Sequence, residues 1–468
     1  MTLPRTDRAR LLFLFAAAVA VTVFTATVPL LRDWFDLRVY HGAVDHWIHH
    51  GGRLYDYRVP GTPYGFTYPP FAAVAMLPMA LLGLHAAIAV ALLLNLAALA
   101  WVLRILTGPA WRRYGWFGCA LGACVLALFE PLRDTISFGQ VNLILLALVL
   151  TDAWLLATGR ERWAGVGTGI AAAIKLTPAL FIGLLLLAGR RREAAVATAV
   201  AAGATGFAAC VAPDASRFYW TVAMWDTTRV GRPDYVSNQS LQGILARLGE
   251  PDRAAWAAAV LLVLCVWANR ARRAVAAGEW VTAFALTGLT ACLVSPVTWV
   301  HHLVWLLPSF AVLVRAGRPR VAGALYAVLC TSVVWLWFDD ASGIDGFLGS
   351  NAYTWITLGL LLWLPIRQPC SDGATLPRST RATAPAPSAA APAIAPVSGH
   401  PAPPSAAGSA DAGSADAGSA AVVDATGPDR GLTRSASSDP TGSARPAAPK
   451  PQSSSSRASS YTVKPPPA

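Results

Sequence analysis

No C-x-x-C pair occurs among the seven cysteines: Cys119, Cys124, Cys210, Cys265, Cys292, Cys330 and Cys370 are scattered, mostly inside apolar runs. They read as small buried hydrophobes, neither disulfides nor metal ligands. No D-x-D occurs in the segment after the first apolar run, where two residues separate Asp33 from Asp36. The nearby "HWIHH" lacks the spacing of a strong zinc site, so no metal and no cofactor are expected. No A-x-A cleavage site closes the apolar run after the basic start "MTLPRTDRAR", and that run is too long for a signal-peptide core; it reads as a retained first helix. Charged residues are few, at 13%, and the net charge of +12 is not a nucleic-acid footprint. The arginines fall in short clusters between apolar runs (160 and 162, 190–192, 270–273, 315–320), which is the positive-inside pattern of cytoplasmic loops.

What remains is hydrophobic. Apolar residues make up 55% of the chain and concentrate in 1–367, in runs long enough to cross ~30 Å of hydrocarbon. The expected class is an all-α polytopic membrane protein with about twelve helices. Candidate spans are 11–31, 66–82, 85–106, 114–130, 140–158, 163–188, 194–212, 254–270, 279–297, 300–316, 320–338 and 351–367. Both termini are expected in the cytoplasm, with 32–65, 213–252 and 339–350 outside. Arginine clusters flank 163–188 on both sides, which predicts a hairpin of two short helices turning at "KLTP", since proline disfavours helix at the residue before it. Likewise 66–106 is expected to cross once, with "TYPPFAAVAMLP" only partly inserted. From 371 the chain becomes rich in Ala, Pro, Ser and Gly, with a short repeat "GSADAGSADAGSA". That composition cannot offset its ordering entropy, so a membrane domain 1–370 is expected to carry a disordered cytoplasmic tail 371–468.

Polar residues at membrane depth are costly unless they serve something. Here they map to one face: Asp33, Asp36, Asp45, Asp56 and four histidines in the first loop, "PLRDTISFGQVN" at 131–142, Lys175, "DYVSNQSLQGIL" at 234–245, and "SPVTWVHH" at 295–302. Convergence of five distant segments suggests an active site opening outward at the bilayer surface. Transfer of a sugar from a lipid phosphate fits it, because the phosphate departs without a general acid and one carboxylate suffices as base. Asp36, flanked by Trp34, Phe35 and Tyr40, stands where such a headgroup would present its sugar, although spacing alone does not separate it from Asp33. A departing phosphate needs cationic and hydrogen-bonding groups, for which Lys175, Arg133, His301 and His302 are available. The two histidines point about 100° apart on a helix and need not share one ligand. Gln140 and Asn142 serve either a sugar or the free backbone groups of a helix start.

The motifs "DLRVYHGAV…GGRLYD…FTYPPFAAVAMLP", "FGQVNLILLALVL", "GIAAAIKLTPALF", "NQSLQGIL" and "SPVTWVHHLVWLLP", in this order over roughly 30–310, resemble the polyprenol-phosphate-mannose-dependent α-(1→2)-mannosyltransferases of actinobacteria. The resemblance implies a GT-C type transmembrane bundle with a polyprenyl-phosphate mannose donor, a glycolipid acceptor of the phosphatidylinositol mannoside type, inversion at the donor carbon, and no nucleotide sugar. It carries the catalytic aspartate onto Asp36, matches its histidine element to His301 and His302, and places Lys175 near the donor phosphate. Beside the resemblance, Arg133 is expected to join the donor-phosphate groups, and Tyr40, Tyr68, Gln140, Asn142, Asn238, Gln239 and Trp299 are expected to contact substrate. The partners expected are membrane lipids and these two substrates, with no nucleic acid. Competing readings are an arabinofuranosyl or other transferase of the same class, and a flippase or transporter. The latter often shows internal repeats and a midplane site; no repeat is visible here.

Overall fold

The computed structural model describes residues 6–27, 33–108, 110–249 and 253–367, and among them every regular element is helical. Among the described residues, four helices are long and apolar enough to cross a membrane: Asp7–Thr27, Leu84–Thr107, Arg191–Val211 and Arg253–Ala276. The shortest of these, 21 residues, reaches about 31 Å at 1.5 Å per residue, the thickness of the hydrocarbon core. Leu93, Leu94, Leu261 and Leu262 are each more than half exposed on two of them. Such leucines have only lipid to face. A fifth span is broken: Gly115–Leu128 and Glu130–Phe138 are bent by 79°. Pro131 sits in the first turn after the break, where its missing N–H is harmless, whereas inside a continuous helix its ring would strike the carbonyl four residues back. Six shorter apolar helices, of 10–17 residues, complete the bundle.

The hairpin expected at 163–188 is present. Val166–Ile174 ends at Lys175, whose backbone is extended, and Leu180–Leu187 follows a 3-10 turn at Thr177–Ala179. Each arm is about half the length a crossing needs. The ends return to one another: Arg190 pairs with Glu161 at 2.7 Å, and Arg192 donates to the carbonyls of Glu161 and Arg162. Two glycines make the packing possible, since a Cβ at Gly167 would stand 2.2 Å from the Leu148 oxygen and one at Gly169 2.5 Å from the Ala197 oxygen. The buried Asp152 caps the first arm, accepting from the N–H groups of Gly167 and Thr168.

One of the candidate spans needs correction. Residues 66–82 do not form a span: Pro70–Ala75 is a six-residue helix followed by a 3-10 turn at Leu77–Leu81, because Pro69, Pro70 and Pro78 interrupt it. The 66–106 region therefore makes one crossing, at Leu84–Thr107. On the helix Phe35–His49, Val39 and Val44 do not face lipid. They are buried with Tyr40, Phe66, Tyr68 and Ala72 in a small aromatic core. The larger core is built around Asn142–Ala157 and Trp280–Val294. Its threonines 287 and 290 bond back to carbonyls four residues earlier, which satisfies their hydroxyls internally. The tail expected at 371–468 lies outside the described residues.

The hairpin contact gives a stability test. Gly167→Ala should lower the melting temperature in detergent, by the equivalent of about 1–3 kcal/mol for overpacking. Gly122→Ala, with nothing within 4 Å of the added Cβ, should leave it unchanged or raise it by up to ~1 kcal/mol. Equal effects would rule out the close approach.

Candidate active site

A cavity of about 480 Å³ lies where the small aromatic core meets the hairpin tip, with Asp36, Tyr68, Gln140, Lys175 and His302 on its walls. The chain enters it through strained backbone: Asp33 and Trp34 both have left-handed conformations, with φ 46° and 53°. The Trp34 N–H donates to the Ser137 carbonyl, which ties the start of Phe35–His49 to the end of Glu130–Phe138. This geometry separates the two aspartates. Asp33 is exposed and pairs with Arg38 at 2.8 Å. Asp36 is half-buried and faces the cavity.

Gly139, left-handed at φ 72°, ends the Glu130–Phe138 helix so close to Leu37 that a Cβ there would stand 2.6 Å from the Leu37 Cβ. The next residue is thereby delivered to Asp36. Gln140 Nε2 donates to Asp36 Oδ2 at 2.6 Å, and Gln140 Oε1 accepts from the Tyr68 hydroxyl at 2.7 Å, which in turn accepts from Tyr40 at 3.0 Å. Asn142 Nδ2 reaches Gln140 Oε1 at 3.5 Å and the His301 carbonyl at 3.3 Å. Lys175 Nζ donates to Asn142 Oδ1 at 3.2 Å and lies 2.7 Å from His302 Nε2. It also stands 5.1 Å from the centre of the Tyr68 ring. A continuous polar chain thus runs from a carboxylate to an ammonium group. Asp36 Oδ1 has no protein partner among the described residues. Burial pushes the Asp36 carboxyl up to about 6, with the Gln140 hydrogen bond and the Lys175 charge pulling the other way.

Residues 66–296 match glycosyltransferase family 87. Over 390 residues the chain is 33% identical to a polyprenol-phosphate-mannose-dependent alpha-(1-2)-phosphatidylinositol mannoside mannosyltransferase of Mycobacterium tuberculosis, covering 77% of this chain and 87% of that protein. Over 336 residues it is 32% identical to a polyprenol-phosphate-mannose-dependent alpha-(1-2)-phosphatidylinositol pentamannoside mannosyltransferase from another strain of that species, covering 68% and 75%. The chain belongs to glycosyltransferase family 87. No solved structure matches it.

Several residues singled out from the sequence stand elsewhere in this family 87 chain. Asn238 and Gln239 are buried and do not line the cavity; their amides are spent on backbone. Asn238 Nδ2 donates to the carbonyls of Pro233 and Pro296 while its Oδ1 accepts from the Thr298 N–H, and Gln239 joins Val236, Ser350 and Thr354. They hold the 295–299 loop, and with it Trp299, against the cavity. Arg133 points away, donating to Ser332 Oγ and stacking over Phe24. Of the adjacent histidines, both line the cavity, but only His302 has a ring nitrogen on Lys175. The first-loop histidines do not gather: His41 and His49 bond the carbonyls of Leu82 and Ala80, and His50 pairs with Asp45.

The sequence reading missed Tyr64, Tyr219, Arg229, Tyr235 and Trp335, all of which line the cavity. For the first four, aromatic and cationic side chains in the segments 32–65 and 213–252 were the available signal; Trp335 was counted inside the span 320–338. It also missed Glu130, a fully buried acid that accepts from Trp335 Nε1 at 2.6 Å and from the Tyr353 hydroxyl, fixing that indole on the cavity wall. Asn238→Ala should cost about 1–3 kcal/mol by stranding the Thr298 N–H and two carbonyls, read as a lower melting temperature in detergent. An unchanged value would show that water replaces the amide.

Proposed function

We propose that this protein transfers mannose from a polyprenyl-phosphate mannose to a lipid-anchored mannoside, forming an α-(1→2) linkage with inversion. The observation that carries this reading is the unbroken chain Asp36–Gln140–Asn142–Lys175–His302 along one cavity. Its two ends supply the two things the reaction needs. At one end, Asp36 Oδ1 takes the proton of the acceptor hydroxyl as that oxygen attacks the anomeric carbon. At the other, Lys175 and His302 receive the phosphate as the bond from the anomeric carbon to its oxygen breaks and the electron pair leaves with it.

The imidazole is arranged for that task. The Trp299 N–H donates to His302 Nδ1 at 3.1 Å, and Nε2 lies 2.7 Å from Lys175 Nζ, which holds ring and amine side by side. A phosphate oxygen then stands next to this pair on the cavity side, within reach of both nitrogens. Tyr40 and Tyr68 hold Gln140 in place, and Trp299 offers an aromatic face to a sugar. Both relatives are named for the same donor and linkage. The reading puts the cavity on the extracytoplasmic side, with both termini and the low-complexity tail 371–468 in the cytoplasm. In support of that orientation, the arginine-rich ends of the hairpin meet at Glu161, and Arg367 meets Glu279 and the Arg315 carbonyl.

Asp36→Asn should lower transfer from polyprenyl-phosphate mannose by about 10²–10⁴-fold in membranes that retain the protein; undiminished transfer would refute the assignment. Because the base acts only when ionised, kcat/KM should fall as pH drops through about 6. Gln140→Leu removes a hydrogen bond that favours the ionised form, so its acidic limb should move to higher pH. A limb that stays in place would separate Gln140 from the base.

A further inference from the structure

Two guanidinium groups from distant loops converge beside the cavity. Arg58 Nη1 and Arg229 Nη2 each donate to the Tyr55 carbonyl oxygen at 2.8 Å, so the donor nitrogens lie within twice that distance of each other. Neither group makes an ion pair among the described residues. Asp226 and Asp56 act on Arg229 through space without forming an ion pair: Asp226 Oδ1 accepts from the Thr228 N–H and hydroxyl, and Asp56 is exposed to solvent. Arg229 lines the same cavity as Asp36, stacks over Phe218 at 5.4 Å, and has a buried Nε with no hydrogen-bond partner. Arg58 stands directly behind the wall residue Gly65, where an added Cβ would come within 2.6 Å of its Nη1.

Two guanidinium groups held this close, with no acid bonded to either, leave N–H groups for a further acceptor, and their planar forks match the oxygens of a phosphate. The donor lipid brings one phosphate, and the Lys175–His302 pair already receives it. We propose that Arg58 and Arg229 form a second anion subsite, which holds the phosphodiester of the acceptor glycolipid while its sugar hydroxyl lies at Asp36. Tyr55 also borders a second cavity of about 700 Å³, which gives the remainder of the acceptor headgroup room beyond the arginine pair. This inference rests on the transfer reaction proposed above and names what selects its acceptor.

The test compares two acceptors with the full chain in lipid nanodiscs: a phosphatidylinositol mannoside, and octyl α-mannoside, which has no phosphate. In Arg229→Gln and Arg58→Gln the ratio of kcat/KM for the phosphate-bearing acceptor to that for the neutral one should fall about tenfold, and Arg229→Lys should recover part of it. An unchanged ratio overturns the subsite, even where both activities drop through damage to the wall. A rise confined to the donor KM assigns the anion to the donor and overturns it equally. Transfer by the unaltered protein to octyl α-mannoside reports the underlying reaction, so failure of that reaction is read separately.

Discussion

An amide has one donor end and one acceptor end, and at Gln140 both are committed: Nε2 to Asp36 and Oε1 to the Tyr68 hydroxyl. Turning the amide over would set its oxygen against a carboxylate and its N–H₂ against a hydroxyl that already accepts from Tyr40. Each buried group left unsatisfied costs about 1–3 kcal/mol, so a single orientation survives. One carboxylate oxygen is thereby held and the other left to the cavity, which a base requires if it is to be aimed before its substrate arrives.

That placement depends on backbone that is itself held by force. Asp33 and Trp34 occupy left-handed conformations, a cost of order 1–3 kcal/mol per residue when side chains are present. The bond from the Trp34 N–H to the Ser137 carbonyl and the Arg38–Asp33 pair oppose a return to ordinary geometry. The first loop and the broken helix end are consequently one unit, and Asp36 moves only if Gln140 moves with it. Glu130 extends this unit: its carboxylate fixes Trp335 on the facing wall from the opposite end of the same helix.

Much of the fold was legible because lipid makes a strong demand on sequence. Long apolar runs had to be helices, arginine clusters marked one side, and the paradox of arginines at both ends of 163–188 resolved into the hairpin. Lys175 stood out for the same reason; it is the only lysine before residue 450, and a lone ammonium at that depth needs a partner. Segment 66–82 entered the list of candidate spans on hydrophobicity alone, which does not count prolines, although the same reading expected 66–106 to cross only once. The site was less legible. Asn238 and Gln140 are both amides near a helix start, yet one serves backbone and the other a carboxylate, a difference set by what packs against each and absent from spacing. Arg133 and Arg229 show the same limit with cations: the one expected at the site turns to Ser332, and the one passed over lines the cavity.

The breaks in the helices and the position of the chemistry have one cause. Backbone without helical hydrogen bonds is tolerated at membrane depth only where it is buried in protein or lines a cavity. Three such stretches meet here: Gly139–Val141 after the bent helix, Lys175–Thr177 at the hairpin tip, and Ser295–Trp299 before the 3-10 turn that carries the histidines. Gln140 and Lys175 come within two residues of a helix end, and His302 follows in the 3-10 turn that the third stretch leads into. A continuous helix would have carried those groups past the cavity or presented them to lipid. The prolines and glycines that interrupt the bundle are therefore the same feature, seen along the chain, that brings a carboxylate and an ammonium group to one pocket.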